Sequence, residues 1–370
     1  MPEDQTAKRK LGHIQTTLRE QVQSHVSTGF DDVRLIHRAL PEIDRDEIDL
    51  STEMFGHRLR APLIIESMTG GTPQAARINR TLAKVAEKLG IAMGLGSQRA
   101  GIEAESLAYT YRIAREVAPS IPLFANLGCP QIARDDGLDR ARKAVDMIQA
   151  TGLFIHLNAL QESVQYEGET HFGGMLKRIS SLASGLPVPV LVKETGAGIS
   201  KETAKAVEEA GVRGINVAGL GGTSWAAVEY YRARKKNSKL QADLGMTFWD
   251  WGTPTVPSIV EVANSTSLNV FASGGVRNGL HIAKAIALGA HYGGLALPML
   301  KSASAGEKAA TTRLTTMIEE LRNAMFLTGS RNLEELRSTP LIITGATYQW
   351  LTQRGFDVTK YATRSNPEGK

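Results

Sequence analysis

FASGGVRNG, residues 271–279, is the stretch that indicates the fold most directly. Phe271 and Ala272 end an apolar strand, and the amphipathic run at residues 281–288 predicts a helix directly after the glycines. Glycines at the start of a helix leave the backbone amides open to a phosphate, although a Gly-Gly pair alone is equally typical of an ordinary tight turn. A further apolar strand follows at residues 292–297. Two consecutive strand-to-helix loops that share one phosphate are the arrangement at the last two units of a (β/α)8 barrel.

The same order of strand, polar or glycine-rich loop and helix is repeated from Leu63 onward. Besides the strands near residues 268–272 and 292–297, we predict six more, around residues 63–65, 91–95, 123–125, 153–158, 190–193 and 214–217. Alternating strands and helices with short connections give right-handed crossovers and a parallel sheet. The predicted fold class is therefore α/β, a (β/α)8 TIM barrel with extensions at both ends.

The length of 370 residues exceeds the roughly 250 of a minimal barrel, so one barrel with extensions is the economical interpretation. We expect residues 1–60 to form an arm and a layer that closes the barrel floor. Residues 61–305 are predicted to form the barrel, and residues 306–370 a helical extension packed on it. Two short Gly-x-Gly runs, at residues 94–96 and 219–221, do not complete a dinucleotide-binding motif, which leaves a Rossmann fold as a minor alternative.

Composition limits the classes of partner. No apolar run approaches the roughly 20 residues of a membrane helix, and the polar start is unlike a signal peptide, so we expect a cytoplasmic protein without a membrane partner. The net charge of +5 suits small anionic ligands and does not require nucleic acid. A single cysteine, Cys129, excludes an intrachain disulfide and is expected to be a small buried side chain. The basic run at residues 232–239 is expected to be the solvated end of a helix.

Side chains at the carboxyl ends of barrel strands converge on one mouth. The predicted strand ends carry Thr69, Ser97 with Arg99, Asn126, His156 with Asn158, Lys193, Thr223, the loop at residues 274–277 and Ala296. This set is rich in neutral hydrogen-bonding groups and cations and poor in carboxylates. It suits a large phosphorylated cofactor and an anionic substrate better than acid/base hydrolysis.

Three features have a functional and a purely structural interpretation, which the residues alone do not separate. Glu162 is either a ligand of Mg²⁺ completed by a diphosphate or a solvated loop acid. Lys193 is a Schiff-base amine, a donor to a cofactor ring, or the partner of Glu194 in an ion pair. The cationic group near the N-terminus, Arg9 with Lys10 and His13, is most simply a basic terminus.

Eight motifs together resemble the type 2 isopentenyl diphosphate isomerases, which are flavoenzymes of isoprenoid synthesis. They are Arg9-Lys10-x-x-His13, Met68-Thr69-Gly70-Gly71, Gly96-Ser97-Gln98-Arg99, His156-Leu157-Asn158-x-x-Gln161-Glu162, Val192-Lys193-Glu194, Gly221-Gly222-Thr223, Asp250-Trp251-Gly252 and Ser273-Gly274-Gly275-Val276-Arg277. The resemblance runs from residue 9 to about residue 304, and the combination is specific.

The resemblance implies an FMN-binding barrel that interconverts isopentenyl diphosphate and dimethylallyl diphosphate by a flavin-assisted 1,3-proton shift. It implies reduced FMN, Mg²⁺, NADPH as reductant, and a homo-oligomer, either a tetramer or an octamer. FMN would contact Ser67, Met68, Thr69, Ser97, Asn126, Lys193, Thr223, Gly275, Val276, Arg277, Ala296 and Leu297. Substrate would contact Arg9, Lys10, His13, Ser97, Gln98, Arg99, His156, Asn158 and Gln161. Gln161 would also be catalytic, Glu162 would bind Mg²⁺, and the cationic arm would become a lid.

Four positions depart from the family pattern, namely Gly12, Glu66, Ala218 and His291. Three rival functions also remain on the sequence. An FMN-dependent 2-hydroxy acid oxidase would need a histidine base, which residues 219–225 lack. An aldolase using Lys193 would contain no flavin, and a nucleotide-sensing barrel would bind without turnover.

Overall fold

The strands and helices alternate along most of the chain in the computed structural model, which describes residues 2–364 and only the backbone of residues 2–9. The strands are β1 (Val33–Leu35), β2 (Thr52–Met54), β3 (His57–Leu59), β4 (Leu63–Ile65), β5 (Ala92–Gly94), β6 (Leu123–Gly128), β7 (Gly152–His156), β8 (Val190–Lys193), β9 (Gly214–Asn216), β10 (Asn269–Ala272), β11 (Tyr292–Leu295) and β12 (Leu341–Ile343). The helices are α1 (Pro2–Arg19), α2 (Pro73–Leu89), α3 (Arg99–Glu103), α4 (Tyr109–Val117), α5 (Cys129–Ile132), α6 (Gly137–Ile148), α7 (Ala159–Val164), α8 (Met175–Gly185), α9 (Lys201–Glu209), α10 (Trp225–Lys235), α11 (Lys239–Thr247), α12 (Thr255–Ala263), α13 (Gly279–Ala287), α14 (Leu297–Ser304), α15 (Glu307–Thr328), α16 (Leu333–Ser338), α17 (Gly345–Gln353) and α18 (Thr359–Ala362).

Strands β4 to β11 form a closed parallel barrel, which confirms the predicted fold class. Each strand pairs with its neighbours in chain order, and β11 returns to β4 with Gly293 opposite Leu63. The strands are almost entirely buried because helices cover their outer face and apolar side chains fill the interior. Eight strands therefore give one mouth at their carboxyl ends and one floor at the other.

The hairpin β2–β3 closes the floor of the barrel. Its side chains Met54 and Leu59 pack against barrel residues that point inward, including Phe124, Phe154 and Phe271. The hydroxyl of Tyr292 on β11 donates to the carbonyl oxygen of Glu53 at 2.6 Å. The interior of the floor is therefore a packed core rather than a channel.

Local sequence sets the helix boundaries on the outside of the barrel. Helix α2 begins where the Thr72 hydroxyl accepts from the Ala75 amide, and it ends at Gly90, whose φ of 65° suits a residue without a side chain. Helix α15 packs against α13 and α2 and thus takes the position of the eighth barrel helix. We therefore assign α15 to the ring of barrel helices and α14 to the short additional helix at the mouth, although the sequence prediction ended the barrel at residue 305.

The C-terminal segment returns to the N-terminal one. Strand β12 pairs antiparallel with β1, with Val33 opposite Ile343. This strand pair was not among the sequence predictions, which gave helices alone after residue 305. Within residues 2–364, none of the helices combines the length and the apolar character needed to cross a membrane.

Candidate functional site

A cavity of about 240 Å³ opens at the carboxyl ends of the barrel strands, with part of α1 along its rim. The predicted site residues that line it are Lys10, His13, Ser67, Met68, Thr69, Ser97, Arg99, Asn126, His156, Asn158, Gln161, Glu162, Lys193, Thr223, Gly275, Val276, Arg277, Ala296 and Leu297. Their side chains come from every part of the barrel and meet because all the strand ends face one mouth. Arg9 lies outside the residues whose side chains are described.

Gln98 is the predicted substrate-binding residue that the structure places elsewhere. Its side chain is fully buried, its Nε2 donates to the Ala144 carbonyl at 2.8 Å, and its Oε1 accepts from the Asn126 amide at 3.0 Å. Both ends of the side-chain amide are thus used inside the protein. Gln98 joins the strand-end loop of β5 to that of β6 and supports Asn126 from behind.

One end of the cavity is a glycine-built cup. Gly274 and Gly275 have φ angles of 96° and 66°, in the region that favours glycine. A side chain on Gly222 would place its Cβ only 2.4 Å from the Gly275 nitrogen, so the two loops meet as closely as backbones can. The loop after β10 leads into α13, and Ala296 after β11 leads into α14, whose N-termini favour an anion.

The middle of the cavity is lined by small polar groups and one buried cation. The Ser67 hydroxyl is buried there and has no hydrogen-bond partner in the part of the chain that the structure describes. The Lys193 ammonium donates to the Glu194 carbonyl at 2.7 Å, and the Glu194 carboxylate accepts from the amides of residues 195–197. Burial lowers the pKa of Lys193, while the nearby Glu66 and Glu194 carboxylates oppose that change. An unpartnered hydroxyl and a buried amine beside an anion cup fit a planar polar ring that ends in a phosphate.

The other end of the cavity carries cations and amides suited to a second anion. Arg99 is half-buried, donates to Glu169 at 2.8 Å and to Glu103 at 2.9 Å, and still lines the cavity. The His156 Nδ1 lies 2.8 Å from Asn126 Oδ1, and since that oxygen only accepts, Nδ1 is the protonated nitrogen. Among the described residues, the buried Asn158 Oδ1 has no hydrogen-bond partner, so this acceptor is available to a ligand.

Glu162 lies in the cavity wall on α7, held by neighbouring groups. Its Oε1 accepts from Asn158 Nδ2 at 3.0 Å, and its Oε2 accepts from Gln165 Nε2 at 2.5 Å and from the Glu169 amide at 2.9 Å. In the described part of the chain, no cluster of three or more His, Cys, Asp or Glu side chains is arranged to hold a metal. A single oriented carboxylate is the kind of ligand that Mg²⁺ uses when a diphosphate supplies the remaining oxygens.

A buried ionic cluster on α10 was not found by sequence reasoning. Glu229 is 2% exposed, its Oε1 lies 2.9 Å from His13 Nε2 and accepts from Gln161 Nε2 at 3.4 Å, and its Oε2 accepts from Arg232. Burial opposes the ionisation of Glu229, but the hydrogen bond and charge of His13 and the charge of Arg232 outweigh it, so the pKa is lowered. A Glu-Arg pair spaced three residues apart on a helix was the available signal.

The basic run at residues 232–239 is therefore only partly a solvated helix end. Arg232 is buried and contacts both Glu229 and Glu167, and Lys236 also pairs with Glu167. Gly12 of α1 faces this cluster, since a Cβ there would lie 4.0 Å from Arg232 Nε. The expectation of a solvated helix end failed at Arg232, because its partner Glu167 lies 65 residues away in the chain and could not be anticipated from the run itself.

Cys129 and His291, two other residues noted in the sequence, lie away from the cavity. Cys129 is buried, as expected, and burial raises its pKa to about 12. His291 lies beside β10, where its Nδ1 accepts from the Val270 amide at 3.0 Å, and burial lowers its pKa to about 4. Neither side chain lines the cavity.

Comparison with known proteins gives relatives over nearly the whole length. The family profile of FMN-dependent dehydrogenases matches residues 8–114 and 149–343. The isopentenyl-diphosphate delta-isomerase of Thermococcus kodakarensis is 50% identical over 360 residues, covering 95% of each chain. That of Methanothermobacter thermautotrophicus is 49% identical over 357 residues, covering 96% of this chain and 99% of the relative.

Solved structures share the fold at low identity. A mandelate oxidase variant with an FMN adduct superposes with a TM-score of 0.64 at 19% identity, covering 93% of this chain and all of that one. A flavocytochrome b2 variant with bound sulfite gives a TM-score of 0.67 at 18% identity, covering 96% of this chain and 88% of that one. At such identities the likeness concerns the barrel alone.

Proposed function

This chain belongs to the isopentenyl-diphosphate delta-isomerases of the FMN-dependent dehydrogenase family, and from that premise we propose that it interconverts isopentenyl and dimethylallyl diphosphates by a flavin-assisted 1,3-proton shift. The observation that carries the proposal is one cavity whose two ends both suit an anion. A glycine cup lies at one end, cations and amides lie at the other, and Gln161 stands beside the second.

FMN fits the cup and the middle of the cavity. The loop at residues 275–277 and the start of α14 would hold its phosphate, and Ser67, Thr69 and Lys193 would face its ring. Bound in the reduced form, the flavin supplies a proton and an electron-rich face, which can stabilise a desolvated cation by about 2 kcal/mol. Arm α1 lies along the rim of the mouth and would help to keep water from the reacting carbon atoms.

The substrate diphosphate fits the cationic end. Lys10, Arg99 and His156 would bind its oxygens, and Asn158 would orient it. We place Mg²⁺ on Glu162, whose carboxylate is already oriented by Asn158 and Gln165. Anchoring by the diphosphate fixes the alkene carbons relative to the flavin, so binding energy from a non-reacting group is used for positioning.

Gln161 and Glu229 would form a hydrogen-bonded pair beside the substrate. A neutral amide is not itself an acid for an alkene, but Gln161 Nε2 donates to Glu229 Oε1, which is also held by His13. Because the pKa of Glu229 is lowered, this carboxylate stays ionised and orients both Gln161 and the imidazole of His13. In this arrangement Gln161 orients the substrate or relays a proton, and Glu229 fixes its position.

The rival activities have less support from the cavity. Among the described lining residues the histidines are His13 and His156, so the loop at residues 219–225 provides no base for a 2-hydroxy acid oxidase. An aldolase would use Lys193 as its nucleophile, yet Lys193 shares its cavity with an anion cup and an unpartnered hydroxyl that it would not need.

Three finer parts of the proposal concern the setting of the enzyme. NADPH would reduce the flavin without being consumed in each turnover, because substrate and product have the same oxidation state.

We also propose a cytoplasmic homo-oligomer, either a tetramer or an octamer. Large exposed apolar side chains at Leu240, Met246 and Trp251 on and after α11 suit contact with another subunit.

The test begins with the purified protein and its flavin. We expect a yellow protein that releases FMN on heating and exchanges the two isomers anaerobically after one reduction, with Mg²⁺ present. Released FAD would overturn the cofactor assignment, and one NADPH consumed per turnover would overturn the isomerase assignment. A colourless protein that binds nucleotides without isomer exchange would indicate the sensing barrel instead.

A further inference from the structure

Glu66 is a buried carboxyl residue that lines the cofactor cavity, and the proposed function leaves it without a role. It follows strand β4 directly, its amide donates to the Leu295 carbonyl at 3.0 Å, and its side chain is 4% exposed. On the neighbouring strand β11, a Cβ at Gly294 would lie only 2.0 Å from Glu66 Oε1. The glycine of β11 therefore leaves the space that this carboxyl group occupies.

A chain of hydrogen bonds fixes the orientation of Glu66. Its Oε1 accepts from Asn216 Nδ2 at 2.6 Å, and Asn216 Oδ1 accepts from the Ser273 hydroxyl at 2.6 Å. Asn216 is fully buried, and both ends of its amide are used. The oxygen of Glu66 that meets Asn216 is therefore an acceptor, and the hydrogen bonds from Asn216 and Ser273 favour the ionised carboxylate against the effect of burial on its pKa.

Lys193 is the cation that lines the same cavity as this carboxylate. Strands β4 and β8 lie on opposite sides of the barrel, and Glu66 and Lys193 line the same cavity at the carboxyl ends of these strands. Burial raises the pKa of Glu66 and lowers that of Lys193, and for each residue the other is the largest charge that opposes the shift. Each charge therefore favours the ionised form of the other, although burial acts against both.

We propose that Glu66 compensates the charge of Lys193 beneath the bound flavin and thereby weakens the preference of the site for reduced, negatively charged FMN. The role rests on the proposed binding of FMN in this cavity. Reduction adds negative charge to the flavin ring, which Lys193 alone would favour and Glu66 opposes. When the charges of Glu66 and Lys193 nearly cancel, the reduced ring also keeps its proton more easily. This suits a reaction that moves protons without net oxidation.

The size of the effect follows from charge separation inside a protein. At the effective dielectric constant of protein sites, a unit charge within one barrel radius of the flavin ring changes the equilibrium between oxidised and reduced flavin by about tenfold or more. For a two-electron couple, tenfold corresponds to about 30 mV in the midpoint potential. This shift is measurable with reference dyes under anaerobic conditions.

The test uses the FMN-loaded protein with changes at both residues. Glu66→Gln keeps the shape and the acceptor for Asn216, and it should raise the two-electron midpoint potential by about 30 mV or more. Lys193→Met should lower it. In the double variant a neutral pair replaces a compensated pair, so the potential should return close to that of the wild type. Glu66→Ala removes the same charge with a different shape and should shift the potential in the same direction as Glu66→Gln.

A matched control and two contrary outcomes complete the design. Glu53→Gln removes an exposed carboxylate outside the cavity and should leave the potential unchanged. An unchanged potential in flavin-loaded Glu66→Gln and Glu66→Ala would show that Glu66 carries no charge beneath the ring and would overturn the inference. A wild-type protein that holds no flavin would instead overturn the proposed function on which the inference rests.

Discussion

Gly70, in the Met-Thr-Gly-Gly loop, lies where the ring of Tyr111 leaves no room for a side chain. A Cβ at this position would lie 1.9 Å from Tyr111 Cε1. The Tyr111 ring is fully buried, and its hydroxyl donates to the Ser97 carbonyl at 2.7 Å. The glycine thus serves packing beneath the cavity wall rather than direct contact with a ligand.

Gly70→Ala should destabilise the protein by about 1–3 kcal/mol, because an added methyl group in a packed interior forces its neighbours to shift. The free energy of unfolding from urea titration measures the change. Gly173→Ala is the matched control, since a Cβ at Gly173 would meet no atom within 4 Å. Equal stability of the two variants would contradict the packing argument.

Gln161 and Glu162 are neighbours in the sequence, but substitutions at the two positions should impair different steps. Glu162→Gln removes the charge assigned to Mg²⁺, so the protein should bind metal and substrate more weakly while still holding flavin. Gln161→Ala should lower kcat by roughly 10²-fold with little change in the magnesium requirement if Gln161 assists proton transfer. The measurements are kcat, substrate KM and the dependence of rate on magnesium concentration. Unchanged metal dependence in Glu162→Gln would reject the ligand assignment.

At the residue scale, the barrel geometry made most of the cavity predictable. His156 and Lys193 end strands, and the ends of parallel barrel strands always share one mouth. Glu229 was missed because it belongs to a helix, where the sequence does not show which face meets another element. Its burial depends on the approach of α1, whose His13 contacts it.

Arm α1 is the element that completes the cavity. Lys10 Nζ donates to the Ser97 carbonyl at 2.5 Å and to the Tyr111 hydroxyl at 2.7 Å, while His13 packs edge-on against Trp225 with ring centroids 5.1 Å apart. Lys10 and His13 therefore contact opposite sides of the mouth. From the residues alone this segment was most simply a basic terminus, since its partners lie some 90 to 220 residues away.

Tyr111→Phe should loosen the docking of the arm without altering flavin binding. Hydrogen bonds to charged groups contribute about 1.5–3 kcal/mol, so we expect substrate KM to rise by roughly tenfold or more. Lys10→Met combined with Tyr111→Phe should cost less than the sum of the single changes, because both remove the same contact. Strict additivity in this double-mutant cycle would show that Tyr111 does not act through Lys10.

Element prediction succeeded where the pattern was local and failed where it was not. The barrel strands are short buried apolar runs followed by glycines or polar residues, and each was placed within a few residues. The pair β1–β12 was missed because its partners lie about 300 residues apart and each strand is only three residues long. Helix α15 was assigned to an extension because no sequence signal shows that it completes the ring of helices.

At the scale of the whole molecule, the C-terminal segment ties the last helices to the barrel wall. Glu261 on α12 is 1% exposed and accepts from Trp350 Nε1 at 3.0 Å, from Arg354 Nε at 3.1 Å and from the Lys201 amide at 2.9 Å. Arg354 also donates to Glu202 on α9 at 2.6 Å. One carboxylate therefore connects α12, α17 and the start of α9.

Glu261→Gln should lower the free energy of unfolding at neutral pH by about 1.5–3 kcal/mol, since it removes the charge that three donors share. Burial opposes the ionisation of Glu261, but the bonds from Arg354, Lys201 and Trp350 outweigh it, so the pKa in the folded protein is lowered. A lowered pKa contributes stability above the unfolded value of about 4.3 and loses it as the pH falls through the folded value. The difference in the free energy of unfolding between wild type and variant should therefore be largest near pH 7 and decrease steadily below about pH 4.3. Urea unfolding at several pH values measures it, with the more exposed Glu202→Gln as control, for which a smaller gap is expected at neutral pH. A gap that stays constant down to pH 3 would mean that Glu261 acts through shape alone and that its charge does not secure the C-terminal segment.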